Sequence, residues 1–331
     1  MNITVAICCY NSEKVIGKTL EVLRRYSHPE LPVIVVNDGS SDATSEIAAK
    51  YGAMVINHHS NMGYGQARQS AVENCSTEIL AFIDDSCLVA SDWLQTLRNR
   101  WESAGSNVRA IVGKMELSEP KNRIERFQFR HSPFLPLPVD FSSHEKFLGR
   151  IYSYLRGKEN QDAGFIGGFS NGNASFRKES LLQIGGYDTR FKLGAEDENL
   201  AVRIIERFGP ESIFYDPNIR VIHESNLELR SFLRRNYRYG RSSAFRFRLA
   251  GGIPTLMPVP VLAILLILAS ALAQLWPLIL LCFLLPFLYI GRTKKIRFWP
   301  DGYLIFCGEF AHLLGVTTFL IGDLIAGGKN E

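Results

Sequence analysis

Basic residues are absent from the start of the chain and cysteine is sparse throughout. Met1-Asn2-Ile3-Thr4 carries no positive leader and the apolar run from Val5 to Cys9 is too short for a signal core, so no secretory leader is expected. The six cysteines (Cys8, Cys9, Cys75, Cys87, Cys282 and Cys307) show no paired metal spacing. Cys8 and Cys9 are neighbours that would face opposite sides of a strand, so the set reads as reduced thiols in a cytosolic setting. A Gly-rich basic loop is also missing after the first apolar run. Tyr10-Asn11-Ser12-Glu13-Lys14 stands there instead, which argues against nucleotidyl transfer. The net charge of +4 is too small to indicate a partner until it is located, and no nucleic-acid partner is expected.

The charge that is present is unevenly placed. From Leu249 to Gly291 no residue is charged, a run of 43. As helix it would extend about 65 Å against a hydrocarbon core of about 30 Å, so it reads as a transmembrane hairpin over 251–291 turning near Gln274, Trp276 and Pro277. Seven arginines (Arg230, Arg234, Arg235, Arg238, Arg241, Arg246 and Arg248) precede it without an intervening acid. The positive-inside rule places this basic juxtamembrane helix, 226–250, and the cluster Arg292 to Arg297 in the cytoplasm. Residues 302–328 are apolar enough to span but contain Glu309, His312 and Asp323, and so read as a third transmembrane or an interfacial helix. The expected setting is the cytoplasmic membrane, multi-pass, with the larger domain in the cytosol.

Residues 1–225 alternate in type. Short apolar runs at Ile3–Cys9, Val33–Val36, Met54–Asn57 and Ile79–Ile83 are separated by helical patterns over Ser12–Tyr26, Ala43–Tyr51 and Gly65–Asn74. This order predicts an α/β fold, a mostly parallel sheet with helices on both faces. Ligands bind such sheets at the carboxyl ends of the strands, where Tyr10, Asp38 and the pair Asp84-Asp85 fall. The stretch from Pro120 to Gly168 has four prolines and, among its aromatics, Phe127, Phe129, Phe134, Phe141 and Phe147. It reads as an irregular insertion lying near the bilayer, covering an acceptor, or supplying core contacts under a long loop.

Six segments then agree in order: Cys9-Tyr10-Asn11-Ser12, Val36-Asn37-Asp38-Gly39-Ser40-Ser41-Asp42, Asn61-Met62-Gly63 with Ala67-Arg68, Asp84-Asp85 before Trp93-Leu94, Gly185-Gly186-Tyr187-Asp188, and Gly194-Ala195-Glu196-Asp197. Together they resemble the family 2 glycosyltransferases, whose nucleotide-binding fold is called GT-A. The resemblance covers residues 3 to about 225. It implies a nucleotide-sugar donor, with a UDP-sugar favoured. Tyr10, Asn11 and Asp38 would contact the base, although Asn37-Asp38-Gly39 is also a strong turn signal. Arg68 would reach the base or diphosphate, or stand as a solvated helical arginine.

The same resemblance makes Asp84, Asp85 and Ser86 the positions of an Asp-x-Asp motif that holds Mg²⁺ or Mn²⁺ against the diphosphate. Ser86 departs from the usual third acid, and a neutral hydroxyl is a poorer ligand for a hard cation. Asp85 or His223 is the candidate to complete the metal sphere, with an ordinary imidazole role open for His223. Glu196-Asp197 aligns with the catalytic pair, Asp197 in the position that deprotonates the acceptor; the neutral alternative is ordinary first-turn helix charge. Asn173 would line the acceptor side or serve a turn, and Arg235 and Arg238 would contact acceptor or phosphate. Arg235-Asn236-Tyr237-Arg238-Tyr239 departs from the Gln-x-x-Arg-Trp motif of processive synthases. The expectation is an inverting, non-processive hexosyltransferase acting on a lipid-linked or glycan acceptor at the cytoplasmic face. The alternative is a degenerate relative retained as a membrane scaffold or regulatory subunit.

Overall fold

The computed structural model describes residues 1–27, 31–131, 162–249, 258–272, 282, 284–286 and 301–325. The chain divides into two compact units. The first contains Met1–Pro120 and later chain up to Ser225; the second contains Lys121–His131 and the chain from Asn226 onward.

The first unit is built on strands β1 (Ile3–Cys9), β2 (Val33–Asn37), β3 (Met54–Asn57), β4 (Ile79–Ile83), β5 (Cys87–Val89), β6 (Ala110–Leu117), β7 (Gly164–Phe165), β8 (Asn173–Arg177) and β9 (Ile213–His223). Its helices are α1 (Ile16–Arg25), α2 (Thr44–Lys50), α3 (Tyr64–Asn74), α4 (Trp93–Ser103), α6 (Lys178–Gln183) and α7 (Glu196–Phe208), α5 belonging to the second unit. The strand order is β3-β2-β1-β4-β8-β6-β9-β5, with β7 paired to β9.

Alternation along the strands explains why both faces are covered. Ile3, Val5, Ile7, Ile79, Ala81 and Ile83 enter one apolar cluster with Ile16 and Leu20 of α1 and Trp93, Leu97 and Trp101 of α4. Ala6, Leu80 and Phe82 face the other way, onto Ala67 and Ala71 of α3 and Leu200 and Ile204 of α7. Both sides of each central strand must therefore be apolar, which accounts for the unbroken runs in the sequence.

The expected parallel arrangement holds for β3-β2-β1-β4, whose neighbours are all parallel. Beyond β4 the sheet is mixed. β8 is antiparallel to both β4 and β6, β6 is parallel to β9, and β5 and β7 are antiparallel to β9. Antiparallel neighbours need no helical crossover, so this half lacks the regular strand-helix rhythm that marks the first half. The β6–β9 register shifts between Gly113 and Lys114. A Cβ at Gly113 would stand 2.3 Å from Asn173 Nδ2, so the glycine at this bulge leaves room for that buried amide.

The second unit contains α5 (Arg123–Arg130), α8 (Leu229–Leu249), α9 (Pro258–Leu272) and α10 (Asp301–Ile325). Asn122 caps α5 by accepting from the Glu125 amide at 2.9 Å. Buried Glu125 accepts in turn from the amides of Lys121 and Leu227 at 2.7 and 3.0 Å. Phe127, Phe232, Val259, Ala263 and Ile305 form its apolar core. Phe127 is thus a core residue, while Phe129 is exposed; Phe134, Phe141 and Phe147 lie outside the described residues.

Most of the expected hairpin over 251–291 also lies outside them; the described parts are the apolar helix α9 and residues 282 and 284–286. Among the described residues, the one helix long and apolar enough to cross a membrane is Asp301–Asp323 within α10. The described residues therefore offer one candidate span and do not support the multi-pass arrangement read from the sequence.

Candidate functional site

In the parallel half of the sheet Cys9 is level with Asn37, and Ala6 with Phe82. Tyr10, Asp38 and Asp84 consequently leave the same carboxyl edge, as neighbouring strands in one register must. Tyr10 is half exposed there, offering an aromatic face.

The loops after β1 and β2 are laced together. Asn11, at φ 52°, donates its amide to Ser40 Oγ at 2.8 Å, and its Oδ1 accepts from the Ser41 amide at 3.0 Å. The left-handed backbone at Asn11 is one that Asn tolerates better than most residues. Asp38 is buried, and its carboxylate serves the neighbouring loop: Oδ1 accepts from the Met62 amide and Oδ2 from the Gly63 amide, each at 2.9 Å. His58 Nδ1 lies 2.7 Å from Asp38 Oδ1, and His58 Nε2 lies 2.9 Å from Ser70 Oγ. Asp38 thus fixes the Asn61-Met62-Gly63 loop. Gly63 has φ 93°, and a Cβ there would overlap the Lys192 backbone at 2.4 Å.

At the end of β4 the two acids have different surroundings. Asp85 turns toward Ser12, whose hydroxyl donates to Oδ2, while its carbonyl accepts from Thr19 Oγ1 at 2.6 Å. Burial pushes its carboxyl up to about 6, Asp84 adds to the rise, and the Ser12 and Ser86 hydrogen bonds oppose it. The Asp84 side chain is 33% exposed, and its Oδ1 lies 3.6 Å from Arg68 Nη2. Gly172 makes this placement possible, since a Cβ there would come within 2.6 Å of Asp84 Oδ2.

Arg68 is the hub. It is buried on α3 and lies over the Tyr64 ring, with 5.6 Å from guanidinium carbon to ring centroid. Its Nη1 donates to Glu196 Oε1 at 2.5 Å. Burial alone disfavours its charge, but the Glu196 carboxylate opposite keeps its pKa above the ordinary value. One guanidinium therefore joins Asp84, after a strand, to Glu196, in the first turn of α7. Ala195 turns the chain into α7 at φ 66°. Asp197 follows, with Oδ1 accepting from the Glu198 amide at 2.9 Å. Burial raises its carboxyl well above the usual range, Glu196 and Glu198 raise it further, and Arg68 lowers it.

Asn173 is committed to the sheet. Asn173 is buried at the start of β8: Oδ1 accepts from Trp93 Nε1 at 3.0 Å, and Nδ2 donates to the carbonyls of Lys114 and Ile219 at 3.0 and 2.8 Å. It ties β8 to β6, β9 and α4, leaving its amide engaged with protein rather than facing an acceptor. Arg235 and Arg238 are on α8, in the second unit.

His223 ends β9 beside Ser86, with Nε2 3.3 Å from Ser86 Oγ. Among the described residues no three His, Cys, Asp or Glu side chains converge to hold a metal ion. Asp85 and His223, on either side of Ser86, are oxygen and imidazole donors of the kind Mg²⁺ or Mn²⁺ accepts, but as placed they supply at most part of a coordination sphere. The six cysteines are free. Burial pushes the Cys8 thiol up to about 12, which keeps it neutral near the Arg68 cluster.

The pattern for "Glycosyl transferase family 2" matches residues 4–185, more than half the chain and all the way from β1 to the turn before Tyr187. The chain belongs to glycosyl transferase family 2. This glycosyltransferase is 24% identical over 237 residues to the glucosyl-dolichyl phosphate glucuronosyltransferase of Haloferax volcanii, covering 68% of this chain and 69% of that one. It is 25% identical over 249 residues to the pre-mycofactocin glycosyltransferase of Mycobacterium tuberculosis, covering 73% of this chain but 47% of the relative.

The glycosyltransferase has the GT-A fold. A mannosyltransferase from Pyrobaculum calidifontis, solved with GDP-Man and Mn²⁺, aligns with TM-score 0.53 at 16% identity over 100% of this chain and 88% of that one. Glucosyl-3-phosphoglycerate synthase from Mycobacterium tuberculosis, solved with Mn²⁺, UDP and product, aligns with TM-score 0.52 at 17% identity over 77% and 81%.

The roles of His58, Ser12 and Ser70 emerge only from the structure. His58 immediately follows β3, whose Asn57 is level with Asn37, so its position at the ligand edge was a readable signal. Ser12 and Ser70 carry no such signal, because their partners lie 73 and 12 residues away.

Proposed function

We propose that this family 2 glycosyltransferase is membrane-associated and inverting, and moves a single sugar from a nucleotide-sugar, UDP-sugar favoured, to a lipid-linked or glycan acceptor at the cytoplasmic face. The observation that carries this reading is the Arg68 bridge from Asp84 to Glu196, which puts the acid pair after β4 and the acid pair opening α7 in one buried electrostatic unit. Relatives named for dolichyl phosphate and mycofactocin substrates, and structures solved with Mn²⁺ and nucleotide sugars, support the donor and acceptor classes.

In this reading Tyr10 stacks on the base and Asp38 holds the loop that borders it. Asp84 contacts the donor, and Asp197 takes the proton of the acceptor hydroxyl. The acceptor oxygen bonds to the anomeric carbon as the bond to the diphosphate breaks on the opposite face, which inverts that centre. Asp197 suits the role because its raised pKa makes the carboxylate a stronger base than an exposed one. Glu196 is paired with Arg68, and so positions Asp197 rather than sharing the proton. Asp85 and His223 would contribute ligands to a divalent ion, whose chemistry would be to neutralise charge on the departing diphosphate.

The test is Asp197→Asn in purified full-length protein in lipid. Transfer is expected to fall about 10³-fold with donor binding retained; unchanged transfer removes Asp197 as base. Absence of transfer by the wild type from any nucleotide sugar, with donor binding also absent, would favour the scaffold reading, to which Ser86 gives some support.

A further inference from the structure

The arginine-rich helix α8 and the apolar helix α10 run side by side in the same direction. Phe232 and Asn236 meet Gly308, Tyr237 and Gly240 meet Gly315 and His312, Phe245 meets Phe319, and Arg248 pairs with Asp323. The glycines allow the approach: a Cβ at Gly240 would lie 1.9 Å from the His312 carbonyl, and one at Gly315 would lie 2.0 Å from the Tyr237 carbonyl. This contact follows α10 for most of its length. Were α10 to cross a bilayer, α8 would be carried through the hydrocarbon beside it with seven arginines, each strongly unfavourable at mid-bilayer depth. Length and composition alone would make α10 a span; its neighbour opposes that.

The outward surfaces fit a different placement. Phe310, Leu314, Ile321 and Ile325 are exposed and recur four, seven and four residues apart, forming one apolar stripe on the side of α10 turned away from Gly308, Gly315 and Phe319. On α9, Leu262, Ile264, Leu265, Ile267 and Leu268 are also exposed. On α8, Arg230, Arg234 and Arg241 are exposed and share one face. We infer that α8 and α10 form an in-plane membrane dock, with the α10 stripe in the acyl region of one leaflet and the α8 arginines bound to the phosphates of anionic lipids. The inference rests on the membrane association proposed above and replaces a crossing by α10 with a one-sided attachment.

Two measurements on the full chain test it. With a C-terminal epitope tag and sealed vesicles of phosphatidylcholine and phosphatidylglycerol carrying the catalytic unit outside, added protease is expected to remove the tag without detergent. A tag protected until detergent is added means that α10 crosses, and overturns the inference while leaving membrane association intact. In flotation assays, Arg230→Glu/Arg234→Glu/Arg241→Glu should bind the anionic vesicles at least about tenfold more weakly than wild type at low salt, with unchanged circular dichroism. Equal binding of both proteins overturns the lipid-phosphate contact. Absence of wild-type binding to any vesicle overturns membrane association as well. Leu314→Glu/Ile321→Glu should lose vesicle insertion; if it instead converts a dimer to a monomer with vesicle binding unchanged, a second copy covers the stripe and the inference fails.

Discussion

Two acid pairs, Asp84-Asp85 after β4 and Glu196-Asp197 at the start of α7, look alike in sequence and are divided alike by the fold. In each, one carboxylate is claimed by the protein: Asp85 by the Ser12 hydroxyl and Glu196 by the Arg68 guanidinium. The other is held more loosely: Asp84 lies 3.6 Å from the Arg68 guanidinium, and Asp197 accepts from the Glu198 amide at 2.9 Å. The means differ, however. Asp85 is held by a neutral donor and resists ionisation, whereas Glu196 is held by a full positive charge. Adjacent acids thus do different work because burying two like charges together is costly unless one is neutralised or protonated.

That comparison can be broken at its strongest point first. Asp197→Asn should remove about 10³-fold of transfer, whereas Glu196→Gln should act mainly through folding, because it leaves the buried Arg68 charge with the 3.6 Å contact to Asp84 in place of its closer carboxylate partner. Arg68→Met exposes the same dependence from the other side. It should destabilise the first unit by about 3–5 kcal/mol, and combining it with Glu196→Gln should recover much of that loss in denaturant unfolding. Arg68 also lowers the Asp197 pKa. In any Arg68→Met protein that remains folded, the acid limb of the pH–rate profile should therefore move to higher pH, because Asp197 must be ionised to act. A limb that stays in place separates Arg68 from the base.

The next effect is on the donor. Asp84→Asn should weaken donor binding about tenfold, a loss of about 1.4 kcal/mol of charge-assisted contact, with little change in melting temperature. Removing divalent metal with a chelator should lower transfer and added Mn²⁺ should restore it; full activity in chelator would assign the diphosphate charge to protein side chains.

The smallest effect distinguishes the claimed acid. Because burial raises the Asp85 pKa to about 6, ionising it costs the folded state more than the unfolded one. The penalty is absent below the unfolded carboxylate pKa and complete above the folded one. Asp85→Asn should therefore raise stability by about 1–2 kcal/mol near pH 7.5 and by nothing near pH 4, read from melting curves at the two values. A gain equal at both would mean that the effect is packing, not charge.

Much of the first unit was legible because its signals are local. The runs at Ile3–Cys9 and Ile79–Ile83 are apolar at every position since both faces are covered, and helix α3 was placed to within one residue, Gly65–Asn74 against Tyr64–Asn74. The mixed half was less legible: β6 contains Gly113 and Lys114 at a bulge, and its partners β8 and β9 arrive from distant chain. Among site residues, Asp84, Asp85, Glu196 and Asp197 were visible as motif acids. Their division of labour was not, since Arg68 and Glu196 are 128 residues apart and Ser12 and Asp85 are 73 apart.

The sequence by itself determined the family, the strand-helix order of the first 83 residues and the edge at which Tyr10, Asp38 and Asp84 emerge, because hydrophobic period and motif order are properties of neighbouring residues. Only the tertiary structure decided that Asp38 braces a loop, that Asn173 is a strand tie, that Arg68 joins the two acid pairs, and that an apolar helix lies along an arginine-rich one. Those outcomes depend on which charges are brought within a few ångströms of each other and shielded from water, and a linear chain does not specify that until it folds.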